Sequence, residues 1–438
     1  MDSTRREFIK QAGATALGAT AIGTAGPELA FAAQKAAAKP KQAPTLIAVY
    51  LRGGADMLGI VVPYSDKDYP KVHPTLAMSE SEVLHLDNNF GFNPNMKELH
   101  ALYEKGMCVP IVCTGSPHPT RSHFDAQDFM ERGAPGLRAV DNGWLNRYLY
   151  ETKTSKDANL RAISLQSLLP RSLRGDYPVL AKPDQNAEQA LEFYSQLYMP
   201  QMGAKPAGGS GASPPNLRGQ QTKQAIKEFG ARTIEQLREL DAILDQKTGS
   251  SGLRYPTSGF GRQLRDIAKV IKANRGLEVT ALDIGGWDHH INEGPTNNGT
   301  LARMVGDVSA SIGAFTDDLG PLMSSVLILV MTEFGRTVRE NGNRGTDHGH
   351  GGFMLAIGGG LTGKKVYGKW EGLADDKLNE HRDLPVHTDF RVVFAEGSKA
   401  RSASTASRRA CSPNTRPIPR RWVTRRTRDA MRAHEALA

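Results

Sequence analysis

Short apolar runs, each closed by glycine and polar residues, set the rhythm of this chain. Four stand out: Leu46-Ile47-Ala48-Val49-Tyr50-Leu51, Cys108-Val109-Pro110-Ile111-Val112-Cys113, Leu277-Glu278-Val279-Thr280-Ala281-Leu282 and Val326-Leu327-Ile328-Leu329-Val330-Met331. Near-continuous runs of this length read as strands buried on both faces. Between them the spacing predicts helices over about 95–105, 122–132, 222–247, 258–274 and 299–318. Strands alternating with helices predict an α/β fold with a doubly wound, mostly parallel sheet flanked by helices. In such a sheet the carboxyl ends of the strands line one edge, where ligands bind. Asp56, Ser122, Asp288 and Glu333 all follow a predicted strand, so the fold would gather them on that edge.

The apolar pattern fails at three places. Residues 200–220 are rich in Gly, Pro and Ser and read as a flexible connector inside a helical insertion of about 187–247. The N-terminus reads Thr4-Arg5-Arg6-Glu7-Phe8-Ile9-Lys10, then a weakly apolar Ala/Gly/Thr stretch, then Ala30-Phe31-Ala32. Paired arginines, an apolar stretch and a small-residue cleavage site make residues 1–32 a twin-arginine export signal, with 33–44 as a linker. The expected partner there is the twin-arginine translocase, and the expected destination is the periplasm or the exterior. No run reaches the roughly 20 apolar residues of a membrane-spanning helix, so no stable membrane insertion is expected. Beyond the domain expected over 45–396, residues 397–438 carry ten Arg and one Lys against Asp429 and Glu435, and show no helical or strand period. That tail begins abruptly inside an apparent helix, as a shift of reading frame would make it; a genuine basic tail is the alternative. Its net charge equals the +9 of the whole chain, so the body is electrically balanced and gives no support for nucleic-acid binding. Cys108 and Cys113 lie five apart in one run and should stay reduced.

The chemistry concentrates in glycine-loosened loops. Gly345-Thr346-Asp347-His348-Gly349-His350-Gly351-Gly352 offers a carboxylate and two imidazoles within four residues, and Gly285-Gly286-Trp287-Asp288-His289-His290 repeats the theme. Hard oxygen and borderline nitrogen donors on a pliable backbone suit a divalent metal, whether Zn, Mn, Ca or Mg. The candidate ligands are Asp56, Asp288, His290, Asp347, His348 and His350; His289 should point away, and Asp283 should be structural. Each also has a plain structural reading, Asp56 as a cap of the next segment and Asp347-His348 as a polar turn. Ser122 opens a helix and is either its N-cap or a nucleophile activated at a helix N-terminus; Arg121 beside it could grip an oxyanion.

Taken together and in order, Leu51-Arg52-Gly53-Gly54-Ala55-Asp56, Arg121-Ser122-His123-Phe124-Asp125-Ala126-Gln127, Gly285-Gly286-Trp287-Asp288, Thr332-Glu333-Phe334-Gly335-Arg336 and Gly345-Thr346-Asp347-His348-Gly349 resemble the family of unknown function DUF1501. That family looks like a branch of the alkaline phosphatase and sulfatase superfamily. The resemblance implies an alkaline phosphatase-like α/β domain with a metal centre at the carboxyl edge. Asp56, Asp347 and His348 would hold one metal beside a Ser122 nucleophile, and Asp288 and His290 another. Glu333 and Arg336 would orient water or substrate oxygens. Two departures weigh on the second half of this carry-over: Asp288 and His290 are spaced more closely than the superfamily's pair, and its late His ligand is replaced by the nearby His350 or by His387. The implied activity is hydrolysis of a small-molecule phosphate or sulfate ester; the alternative is an inactive exported protein that binds a metal or another ligand on the same fold.

Overall fold

The computed structural model describes residues 44–153, 160–166, 168–182, 217–246, 254–296 and 299–405. The expected signal peptide, the linker up to residue 43 and most of the 200–220 connector lie outside them. The strands, in chain order, are β1 (Thr45–Leu51), β2 (Val61–Val62), β3 (Leu84–His85), β4 (Gly91–Phe92), β5 (Cys108–Gly115), β6 (Ala162–Ser164), β7 (Leu180–Ala181), β8 (Val279–Ile284), β9 (Val326–Met331), β10 (Gly352–Gly358) and β11 (Thr388–Asp389). Eight form one sheet in the order β11-β5-β10-β9-β1-β8-β6-β7, and β2-β4-β3 make a small antiparallel sheet. Within the large sheet every neighbouring pair is parallel except those of β10, which runs antiparallel to both β5 and β9.

Alternation along β1 explains why its apolar run is unbroken. Ile47, Val49 and Leu51 enter one hydrophobic cluster and Leu46, Ala48 and Tyr50 the other, on the opposite face. The first cluster is covered by the helices Lys97–Glu104, Gly259–Lys272 and Thr300–Leu319, and also takes Leu240 and Ile243. The second is covered by Trp144–Glu151 and the start of Phe390–Thr405, whose Trp144 and Phe394 rings stack with centroids 4.0 Å apart. The result is a mostly parallel α/β sheet with helices on both faces, as the pattern predicts.

Several boundaries differ from the sequence reading. The third expected strand starts at Val279 and runs to Ile284. The Leu217–Leu244 helix begins inside the stretch assigned to the flexible connector. The helix opened at Phe390 continues to Thr405, so residues 397–405 are helical although they were assigned to the tail; residues 406–438 lie outside the described residues. Strand β10 is not among the four runs read from the sequence, although Phe353-Met354-Leu355-Ala356-Ile357 is a short apolar run bounded by glycines. Cys108 and Cys113 are buried free thiols.

The antiparallel strand matters most for the site. The parallel strands β1, β5, β8 and β9 deliver loops from their carboxyl ends to one edge. Since β10 runs the other way, its entrance lies at that same edge, and the preceding 345–351 loop arrives among the others.

Candidate metal centre

Three imidazoles and one carboxylate converge at this edge. His123 is the first residue of the His123–Arg132 helix after β5, Asp288 and His290 lie in the loop after β8, and His348 precedes β10. The Nε2 atom of His348 is 3.0 Å from Nε2 of His123 and 3.0 Å from Nε2 of His290. Oδ1 of Asp288 lies 3.1 Å from His348 Nε2 and 2.9 Å from His290 Nε2, while its Oδ2 lies 3.3 Å from His123 Nε2. Among the described residues, His123, Asp288 and His348 are the group whose donor atoms all fall within 4.8 Å of one another, and His290 adjoins it on the Asp288–His348 side.

The other ring nitrogens fix the tautomers. Nδ1 of His123 faces Glu333 Oε1 at 2.8 Å, Nδ1 of His290 faces Asp347 Oδ1 at 2.9 Å, and Nδ1 of His348 faces the Arg121 carbonyl at 3.0 Å. All three partners only accept, so each Nδ1 must carry its proton and donate. In the neutral rings every Nε2 is then a lone pair, and three lone pairs and a carboxylate point at one another. That arrangement repels itself unless a cation or a shared proton lies between them. Imidazoles whose outer N–H groups are held by carboxylates and a backbone carbonyl are the usual build of a metal site. The donor set therefore fits a divalent metal.

Around this core the expected residues sort by what they touch. Glu333 is fully buried; its Oε1 accepts from His123, from Gln127 Nε2 at 2.8 Å and from the Gly53 amide at 2.9 Å. Arg336, also buried, donates to Asp288 Oδ1 at 2.7 Å and to Thr346 Oγ1 at 3.1 Å. In this structure both side chains are engaged within the cluster, Glu333 with His123 and Arg336 with Asp288. Asp347 lies behind His290, where Asn341 Nδ2 also donates to its Oδ1 at 3.2 Å. Arg121 contributes its carbonyl alone; its guanidinium pairs with Asp383 at 2.5 Å and Glu380 at 2.6 Å. His350 stays outside the group and feels Asp383 and Arg121 instead.

Asp56 does not join Asp347 and His348. It is buried, and its carboxylate accepts from the amides of Leu58 at 3.2 Å and Gly59 at 2.6 Å, capping the one-turn helix Met57–Ile60. The capping alternative describes it. Ser122 is the exposed N-cap of the His123–Arg132 helix and makes no side-chain capping bond. His123, one residue on, is the member of the centre that the sequence reading passed over. Its only signal was its place beside Ser122 at the mouth of a helix that starts on the ligand-binding edge.

Electrostatics follow the contacts. Burial works to raise the Asp288 carboxyl, but the hydrogen bond and charge of Arg336, with His290 and His348, bring it down to about 2. The His290 bond lowers Asp347, and burial against the His123 and Gln127 bonds leaves Glu333 below its ordinary value. The Glu333 bond raises His123, while burial and the neighbouring His123 lower His348. Three anionic carboxylates thus surround the imidazoles, the charge balance a cation site requires.

Comparison with known proteins gives a family but no characterised relative. A family model described as "Protein of unknown function (DUF1501)" matches residues 105–408, more than half of the chain. No curated protein matches. Among solved structures, the C-terminal periplasmic domain of EcEptC from Escherichia coli, a complex with Zn, aligns at 11% identity and TM-score 0.32, covering 74% of each chain. Ps i-CgsB, in complex with k-i-k-neocarrahexaose, aligns at 12% identity and TM-score 0.35, covering 83% of this chain and 72% of that one. Both are distant likenesses.

Proposed function

We propose, from the premise that this chain belongs to the DUF1501 family, that it is an exported metal-dependent hydrolase of phosphate or sulfate esters. The observation that carries the reading is the convergence of three Nε2 lone pairs on the Asp288 carboxylate, with every Nδ1 held by an acceptor. His123, Asp288, His290 and His348 would hold the ion. A donor set richer in imidazole than in oxygen favours zinc or another transition metal over Ca or Mg. Bound there, the cation supplies a Lewis acid for the ester oxygens.

The chain's own residues supply the rest. Glu333, Asp347 and the Arg121 carbonyl keep the three imidazoles aimed inward, and Arg336 keeps Asp288 ionised. Ser122 lies one residue from His123, exposed and at the positive end of a ten-residue helix. Its Oγ is the candidate nucleophile: it attacks phosphorus or sulfur, the alcohol leaves with a proton, and water cleaves the resulting serine ester. The resemblance to the alkaline phosphatase and sulfatase superfamily favours this chemistry over amide hydrolysis, and the Arg5-Arg6 leader supports export.

Two measurements test the reading. Elemental analysis of protein purified without added metal should find a transition metal bound to the chain; its absence, together with no zinc uptake on titration, would sink the proposal. Aryl phosphates and sulfates should be hydrolysed by the native protein, with the Ser122→Ala variant losing turnover but keeping metal. Metal without turnover in either protein would leave the binding-protein reading standing.

A further inference from the structure

A groove of about 420 Å³ is lined by Arg52 after β1, Asp283 in β8 and Gln166 just past β6. Its size falls within the roughly 300–1,000 Å³ of small-molecule sites. These three strands are neighbours in the sheet, and the groove lies at their carboxyl ends, where such sheets bind ligands. Arg171 and Arg174 also line it. Residues Arg171–Leu173 make one turn of 3-10 helix, and the Arg174 amide closes on the Arg171 carbonyl at 3.2 Å. Side chains three apart eclipse in such a turn, so the two arginines leave it on the same side. The turn is well anchored. Ser172 and Leu173 are buried, the Ser172 amide donates to Glu131 Oε1 at 3.1 Å, and the Leu173 carbonyl accepts from Asn146 Nδ2 at 2.8 Å.

The charges of the lining are unevenly matched. Both of its carboxylates pair with Arg52, Glu131 at 3.1 Å and Asp283 at 2.8 Å. Arg171 has only Asp128, 3.4 Å from its Nε, and Asp128 bonds Arg132 more closely at 2.8 Å. The Arg171 Nε is buried and makes no hydrogen bond. Arg174 spends its Nε on the Leu169 carbonyl at 2.8 Å, and its terminal nitrogens have no partner among the described residues. Two guanidinium groups on eclipsed positions repel each other unless an anion joins them, and their forked donors suit an oxyanion. Elsewhere in the lining, Asp283 bonds Arg52 through Oδ1, and Gln166 donates through Nε2 to the Ala281 carbonyl at 3.0 Å. The side-chain oxygens left over there can only accept. Since Arg52 already balances the Asp283 charge, they call for neutral donors such as hydroxyl groups.

We infer that this groove is a second ligand site, one that takes a small hydroxylated organic anion. The oxyanion, a carboxylate or a phosphate, meets Arg171 and Arg174, and the hydroxyl groups meet Asp283 and Gln166. None of the residues assigned to the metal lines the groove, so the site stands apart from that centre and from the hydrolase reading. The test is calorimetric titration of the full chain with glucuronate, glucose 6-phosphate and, as the neutral control, glucose. Each titration is run on the native protein and on His348→Ala, in which the metal centre is broken. At least one of the two anions should bind roughly tenfold or more tightly than glucose in both proteins, the size of one charge-assisted hydrogen bond. The tighter of the two tells whether carboxylate or phosphate is the group recognised. Arg174→Gln, at an exposed position, should remove that advantage with zinc content unchanged, and Arg171→Gln should weaken it. Anions that bind no better than glucose, or an advantage untouched by Arg174→Gln, overturn the inference. So does binding that disappears in His348→Ala, because the anion then lies at the metal centre.

Discussion

Two glycine loops leave neighbouring strands at the same edge of the sheet, and each ends on an aspartate. Arg52-Gly53-Gly54-Ala55-Asp56 follows β1, and Gly285-Gly286-Trp287-Asp288 follows β8. The loops touch: the Trp287 amide donates to the Arg52 carbonyl at 3.2 Å, and a Cβ on Gly53 would lie 2.5 Å from the Asp288 nitrogen. Yet their carboxylates do different work. Asp288 is half-open and faces three imidazoles and Arg336. Asp56 is buried and has both oxygens taken by backbone amides, and burial raises its pKa against the pull of His73. The lesson is that an aspartate in a glycine loop at this edge is free to face the imidazole cluster only if the backbone just after it has not already claimed its oxygens.

Substitutions can break or sharpen this contrast, and the largest effect is expected at the centre. His348→Ala removes the imidazole nearest all the others, and zinc affinity should fall by about a thousandfold or more on titration against a competing chelator, with little change in thermal unfolding of the apo protein. A thermal midpoint that collapses while zinc still binds would reverse the roles assigned to the two loops. Gly53→Ala strikes where the loops meet. Gly53 has φ +128° and no room for a Cβ, so we expect a loss of about 3 kcal/mol in denaturant unfolding, together with weaker zinc binding as Asp288 is displaced.

Glu333→Gln keeps shape but weakens the acceptor that holds His123, and zinc affinity should drop roughly 10- to 100-fold at unchanged stoichiometry. No change would mean that His123 is not a ligand. The smallest effect belongs to Asp56→Ala. Losing a helix cap should lower stability by about 1 kcal/mol, and metal content read by elemental analysis should not move. A loss of metal there would restore Asp56 to the ligand set.

Much of this was written locally. Runs such as Val326–Met331 are too apolar for any exposed position, so strands β1, β5, β8 and β9 were legible, as was their alternation with helices. The density of Asp, His and Gly at 285–290 and 345–352 marked two loops that do meet. The direction of strand β10 was not legible, because an apolar run such as Phe353-Met354-Leu355-Ala356-Ile357 does not say which way it is to be paired. Only its pairing between β5 and β9 makes it antiparallel and carries His348 to the carboxyl edge.

His123 shows the same limit at one residue. Ser122 and His123 are equally polar at a helix start, and nothing nearby in sequence says which one faces the centre. That was decided by Glu333, 210 residues away, which receives the His123 N–H. The sequence alone determined which segments are buried and which side chains are able to bind a cation, because burial and donor chemistry belong to single residues and their near neighbours. The tertiary structure decided which of those side chains come together, because that depends on strand order, on strand direction and on the distant acceptors that fix each imidazole's proton.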